Sequence, residues 1–372
     1  MTRRGDASMC FGAAYTSQGY MTMLAPLQQC RSGQVIVVRG GPLAARSKIM
    51  ERAADDLLER GFSLERYRHC IDPNLISGFC LLSPLILVLD EGMEEPIGAT
   101  DLIPNKVIDI GPSWDYAQLQ SQKKALCTLS WQNTRRLQIV ASYLRELGTV
   151  FQERKSYISD SMDFGTVNRA TQQIIAEILA RKPEAVVTPN LSPLFVTAIT
   201  AGGLDHCVNS IVSGFRHFYL LRGEPGSGRS TILARVSEQA AMHGLSTRSL
   251  YGPLEPERRE LLLIPSLATA LVGGFAVRSF RPNDHRSLTS LKVIELGDLA
   301  KKKRLSFFQP ERTSSQQRFD QLLELTVKQL AHWQQITETI TAIYQEYVDQ
   351  SKFAAFSEQL LRYVLELIDA RR

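Results

Sequence analysis

Apolar positions fall into two patterns along this chain. Short, nearly continuous apolar runs, such as QVIVVR at 34–39, LILVLD at 85–90 and HFYLLR at 217–222, have the length of buried strands. Longer stretches carry apolar residues at three- and four-residue spacing. Leu126, Leu129, Leu137, Val140, Leu144, Leu147 and Phe151 make one stripe, and Val167, Ala170, Ile174, Ile178 and Leu179 a second. Phe319, Leu322, Leu323, Leu330, Trp333, Ile336, Ile340, Ile343 and Tyr347 make a third; Phe353, Phe356, Leu360, Val364 and Ile368 a fourth. That spacing puts each set on one face of a helix. Two helical hairpins are therefore predicted, each packing on the strands of its own half. A protein-partner surface is the alternative use of their faces.

The pattern occurs twice. FGAAYTSQGY and QVIVVRGGPLAARSKIMERAADDLLERG in the first half have counterparts in FVTAITAGGL and HFYLLRGEPGSGRSTILARVSEQAAMHG in the second. Phe11 aligns with Phe195, Thr16 with Thr200, Gly19 with Gly203, Gly40 with Gly223, Pro42 with Pro225, Arg46 with Arg229 and Ser47 with Ser230. LLSPLILVLDEG at 81–92 matches LLIPSLATALVGG at 262–274, and KVIDIG at 106–111 matches KVIELG at 292–297. Self-similarity at one period marks a duplicated unit. The expected organisation is a first unit at 1–181 with its hairpin at 115–181, a proline-containing linker at 182–192, and a second unit at 193–372 with its hairpin at 314–372. Strands alternating with helices predict an α/β fold with a mostly parallel sheet in each unit.

In the second unit, HFYLLR runs straight into GEPGSGRST, and a helix follows as far as Gly244. Strand, glycine-rich turn and helix is the setting of a Walker A loop, G-x-x-x-x-G-K-[ST]. The candidate phosphate-binding segment is Gly223, Glu224, Pro225, Gly226, Ser227, Gly228, Arg229, Ser230 and Thr231. Its glycines permit backbone conformations that wrap an anion. The turn amides and the helix N-terminus would face phosphate, and the Ser230 hydroxyl would face Mg²⁺. Arg229 stands where lysine is usual. Its planar fork binds phosphate but is larger and differently placed, so binding is expected to survive better than γ-phosphate cleavage.

The first turn, GGPLAARS at 40–47, has Leu43, Ala44 and Ala45 at the permissive positions and reads as a relic. Acidic partners are distributed the other way. Asp90 and Glu91 end an apolar strand, as a Walker B carboxylate for Mg²⁺ requires, and LATALVGGF in the second unit ends without one. A composite site joining Asp90 to the second turn is a lesser alternative. Asp109 and Glu295 end matching strands and are weaker candidates; Arg39, Arg222 and Glu224 flank the turns and read as solvated.

Composition narrows the picture further. With 44% apolar and 22% charged residues, the chain has material for two folded cores. A net charge of +5 suits nucleotides but is too weak to argue for nucleic acid, and KKKR at 301–304 reads as a solvated linker. The six cysteines form no C-x-x-C pair and do not combine with histidines at metal-ligand spacing. Such thiols fit a cytoplasmic protein, and MTRRGDASMC has no apolar core of a signal peptide. The stretch 261–277 is short for a membrane span and contains Pro265 and Ser266, so a buried strand is expected there and no membrane partner.

The order of motifs is specific. VVRGGPLAARSKIM, YRHCIDPNLISG, LSPLILVLDEG and VIDIGPSWD in the first copy are followed by LLRGEPGSGRSTIL, YGPLEPE, LLIPSLATALVGG and VIELGDLA in the second. Over nearly its whole length the chain resembles an uncharacterised bacterial family of tandem P-loop ATPase-like, or nucleotide-kinase-like, proteins. The resemblance implies two tandem P-loop NTPase domains that use ATP or a related nucleotide with Mg²⁺, and it names no reaction. Both copies depart from the family's Walker lysine, and the first departs at the glycines too. The expected function is a cytoplasmic ATP-binding protein of ATPase or kinase type, working through the second copy, with hydrolysis in doubt. The alternative is a non-catalytic pseudo-ATPase acting as a nucleotide sensor or protein-interaction scaffold.

Overall fold

The computed structural model describes residues 4–24, 33–93, 104–183 and 192–370. Most of the expected linker and Cys30 lie outside the described residues. The fold is α/β. The first half contains β1 (Ala7–Cys10), β2 (Ala13–Thr16), β3 (Gly19–Thr22), β4 (Gln34–Arg39), α1 (Leu43–Glu59), β5 (Leu64–Arg68), β6 (Ile76–Leu82), β7 (Leu85–Asp90) and β8 (Lys106–Asp109). The helices α2 (Tyr116–Leu119), α3 (Lys123–Ser161) and α4 (Phe164–Leu179) follow. The second half contains β9 (Leu194–Phe195), β10 (Thr197–Thr200), β11 (Gly203–His206), α5 (Val208–Ile211), β12 (His217–Arg222), α6 (Arg229–Met242), β13 (Arg248–Tyr251), β14 (Arg259–Ile264), β15 (Thr269–Val272) and β16 (Ser290–Glu295). It continues into α7 (Lys302–Phe307), α8 (Gln309–Gln345) and α9 (Gln350–Asp369).

Two six-stranded sheets result, ordered β1-β5-β6-β7-β4-β8 and β9-β13-β14-β15-β12-β16. Each strand of the first sheet occupies the place of its sequence counterpart in the second. The sheets are mixed rather than mostly parallel. β4 runs parallel to β7 and β8, but β6 is antiparallel to both β5 and β7. The reason is local: only Ser83 and Pro84 separate β6 from β7, and so short a connection admits only an antiparallel hairpin. Within the apolar stretch 261–277, β14 and β15 form the equivalent hairpin, with Leu261, Leu262, Ala270 and Leu271 fully buried. Among the described residues no helix is long and apolar enough to cross a membrane.

The helical hairpins depart from expectation, because each lies on the sheet of the other half. Ile158, Met162, Val167, Ile174 and Ile178 of α3 and α4, with the turn between them, pack with Tyr219, Leu221, Ile232 and Val236 of the second half. Leu360, Val364 and Ile368 of α9 pack with Ile36, Val38, Ile49 and Leu57 of the first. The crossings are matched. Asp115 N donates to Tyr347 O at 3.0 Å and Asp349 N to Ser113 O at 2.7 Å; Lys301 N donates to Ser161 O at 2.7 Å and Asp163 N to Leu299 O at 3.0 Å. Periodicity shows which face of a helix is apolar, not which sheet it covers. At about 1.5 Å per residue, the 39 residues of α3 span roughly 58 Å, enough to carry α4 past its own sheet.

The halves also meet at their centre. Phe11 and Phe195, aligned in the repeat, exchange backbone hydrogen bonds of 3.1 and 3.0 Å. Arg248 forms a buried two-pronged ion pair with Glu65, 183 positions away, at 2.7 and 2.9 Å. Contacts between aligned positions are the signature of an isologous interface. α3 and α8 run antiparallel alongside each other, tied by Asn133 to Thr337 at 2.9 Å and by Arg318 to Glu153 at 2.6 Å. One apolar cluster, including Phe11, Leu24, Val37, Phe195, Phe218 and Leu263, draws on both sheets.

Candidate functional site

The second glycine-rich turn links β12 to α6. Gly226 and Gly228 take φ of +95° and +99°, a region that side chains disfavour, and Gly228 caps the helix. The first amides of a helix have no partners within it, and here the first residues of α6, Arg229, Ser230 and Thr231, line a cavity of about 210 Å³. Pro225, Gly226, Gly228, Arg229, Ser230 and Thr231 form one wall. The other three residues expected from the sequence do not line the cavity. A Cβ on Gly223 would press on the Ser227 side chain, Glu224 pairs with Arg312 at 2.6 Å, and Ser227 is buried.

The facing wall comes from the first half: Phe151, Lys155, Ser159 and Phe164, on α3 and at the start of α4. Ser159 Oγ donates to the Gly226 carbonyl at 3.1 Å, and a Cβ on Gly226 would run into the Lys155 carbonyl. The glycine there makes room for the exchanged helix. Around the cavity, Lys155, Arg229, Arg258 and Arg259 stand against Glu255 and Glu260, so cations outnumber carboxylates by four to two.

Arg229 donates from Nη1 to the Gly274 carbonyl at 3.0 Å. Burial pulls its pKa down, opposed by the charge of Glu260. Glu260 reaches the site through a β-bulge. Tyr251 pairs with Arg259 and Leu250 with Leu261, which leaves Glu260 as the extra residue of β14 and turns its side chain inward. Its carboxylate accepts from Thr197 Oγ1 at 2.8 Å, and a Cβ on Gly274 would strike it. Burial raises the Glu260 pKa, while the Thr197 hydrogen bond and the Arg229 charge lower it. The first sheet has the same bulge, with Ser77 as the extra residue.

The first turn is filled from within. The Arg46 guanidinium pairs with Asp90 and, at 2.7 Å, with Glu91, and it donates to the Gly41 carbonyl at 2.6 Å. Ser47 Oγ accepts from Ile76 N at 2.8 Å. A Cβ on Gly41 would collide with Trp114, whose ring meets Tyr344 and Phe353 of the second half's hairpin edge-on. Asp90 is thus engaged within its own half and lines no part of the second cavity, so the composite arrangement is not formed. Ser230 does line that cavity. Among the described residues no cluster of His, Cys, Asp and Glu could hold a metal. Asp109 and Glu295 pair with Arg39 and Arg222 at 3.0 and 3.1 Å, matching structural contacts in the two halves.

Comparison with family models, with curated proteins and with solved structures finds no match. Lys155, Glu255, Arg258 and Glu260 escaped the sequence reading. Glu260 carried a faint signal, a lone acid ahead of the apolar run LLLI. Lys155 carried none, because its place depends on the hairpin exchange.

Proposed function

We propose that the chain is a P-loop-type nucleotide-binding protein whose second copy holds ATP with Mg²⁺. The observation that carries this reading is the cation-rich cavity over the N-terminus of α6, walled by Pro225, Gly226, Gly228, Arg229, Ser230 and Thr231. Its 210 Å³ falls below the roughly 300–1,000 Å³ usual for whole ligands. It suits the phosphates, with Arg229 beside them and Ser230 toward the metal. The nucleoside would extend into an adjoining groove of about 570 Å³, which shares Leu254, Glu255 and Arg258 and adds Ser17, Gln18 and Gln152. The buried thiols of Cys10, Cys70 and Cys207, which form no disulfide, suit a reducing, cytoplasmic setting.

Turnover is expected to be slow or absent. Parallel register places Val38 beside Asp90 in the first sheet and Leu220 beside Val272 in the second, so Gly273 and Gly274 follow β15 where Asp90 and Glu91 stand in the first half. This favours the second reading, a pseudo-ATPase that senses nucleotide, because the exchanged hairpin touches the turn directly. Titration of purified protein with MgATP and MgADP tests the common core. Saturable binding that Gly228→Val abolishes supports it; no binding at millimolar nucleotide rejects it. Phosphate release in a single-turnover assay then separates enzyme from sensor.

A further inference from the structure

We infer that Lys155 and Arg258 are the phosphate-binding cations of the second cavity, and that Glu255 is an internal carboxylate which an incoming phosphate displaces. The inference rests on the nucleotide reading above and names the groups that make it work. Three groups converge on one oxygen, Glu255 Oε1: Lys155 Nζ and Gln152 Nε2, the latter at 3.0 Å, donate to it, and Arg258 Nε forms an ion pair with it at 3.2 Å. Lys155 and Gln152 arrive on α3 from the first half, while Glu255 and Arg258 belong to the connection between β13 and β14 in the second. A carboxylate and a phosphate are oxyanions satisfied by the same donors. Glu255 and Lys155 both line the cavity, and their side chains are 20% and 18% exposed, so a ligand can reach them.

Arg229 is poorly placed for the part that lysine plays in such turns. Its guanidinium is held on the Gly274 carbonyl, with Glu260 close by. The compact, flexible ammonium that the segment Gly223–Thr231 lacks is instead supplied across the halves by Lys155. Displacing Glu255 exchanges one anion for another on the same donors and turns a contact between halves into one mediated by ligand. Nucleotide binding is thereby tied to the seating of α3.

The test is calorimetric titration of the full chain with MgATP and, separately, with Mg²⁺-tripolyphosphate. Lys155→Met and Arg258→Met are expected to weaken both ligands by about 10- to 100-fold, the range for hydrogen bonds to charged groups. Glu255→Gln is expected to tighten both about tenfold, even where it lowers the melting temperature. An ion pair that only braces the halves would give the opposite sign, weaker binding in Glu255→Gln. That result, or unchanged affinity in a folded Lys155→Met protein, overturns the inference while leaving the nucleotide reading intact. Tripolyphosphate binding without MgATP binding rejects the nucleotide reading and keeps the cations. Absence of both in the wild type rejects both.

Discussion

At the residue scale, the two arginines at matching places after the glycine-rich turns, Arg46 and Arg229, have opposite fates. Arg46 is almost completely buried against Asp90, which is 2% exposed. Removing one partner of such a pair leaves an uncompensated charge in a poorly solvated site, at a cost of about 3–5 kcal/mol. Arg46→Ala is therefore expected to lower the urea midpoint sharply. Arg229→Ala removes a hydrogen bond to a carbonyl and is expected to cost about 1–2 kcal/mol. Equal losses would mean the first turn is no more tightly locked than the second. Both arginines were legible in the sequence. So were Asp90 and Glu91, the acids beside Arg46; Glu260, beside Arg229, was not, because it enters through a bulge that period-two patterning does not register. His69 adds a pH dependence. Its Nδ1 accepts from the amides of Ile71 and Asp72 at 3.3 and 3.2 Å, and burial lowers its pKa from 6.5 to about 4. Between those values the unfolded chain binds a proton that the folded chain does not, so stability falls as pH drops through that window. Equilibrium unfolding from pH 7 to pH 4 should show this slope, and His69→Asn should flatten it.

At the element scale, the helices were readable and their destinations were not. The apolar stripes located α3, α4, α8 and α9 with the correct inward faces: Val140, Leu144, Leu147, Phe151, Val167, Ile174, Phe319, Leu322, Leu360 and Val364 are all buried. The hairpin exchange depends on the length of α3 and on backbone pairing between distant segments, which no local pattern encodes. Each exchanged helix begins at an aspartate cap. Asp163 accepts from the amides of Gly165 and Thr166 at 3.1 and 3.4 Å, and Asp349 from those of Ser351 and Lys352 at 3.0 and 3.2 Å. Asp163→Ala and Asp349→Ala should each cost about 1 kcal/mol, typical for a lost cap. Their amides also pair across the halves, at Leu299 O and Ser113 O. Fraying at either cap should therefore loosen the covered sheet rather than the helix's own. Amide exchange in the two variants would show it: faster exchange at α6 for Asp163→Ala, and at α1 for Asp349→Ala.

At the scale of the whole molecule, the exchange makes each half depend on the other for its core. Leu360, Val364 and Ile368 are at most 2% exposed, and all three are buried with first-half residues. Burying such side chains contributes about 1.5–3 kcal/mol each, so the three together supply roughly 5–9 kcal/mol. That is comparable with the 5–15 kcal/mol net stability of a typical domain. Deleting 350–370 should therefore strip the first sheet of a covering it cannot replace, although the deleted helix is far away in sequence. Protection from amide exchange should collapse at β4 and α1. The second half should keep more of its protection, because α3 and α4 still cover it with Ile158, Val167 and Ile174. Collapse in both halves together would mean that the cluster joining Phe11 to Phe195 makes one cooperative unit of the molecule. Protection retained at β4 and α1 would mean that the first half carries a sufficient core of its own. In that case α3, not α9, would be the exchanged element that matters, because it alone brings Lys155 and Ser159 to the second turn.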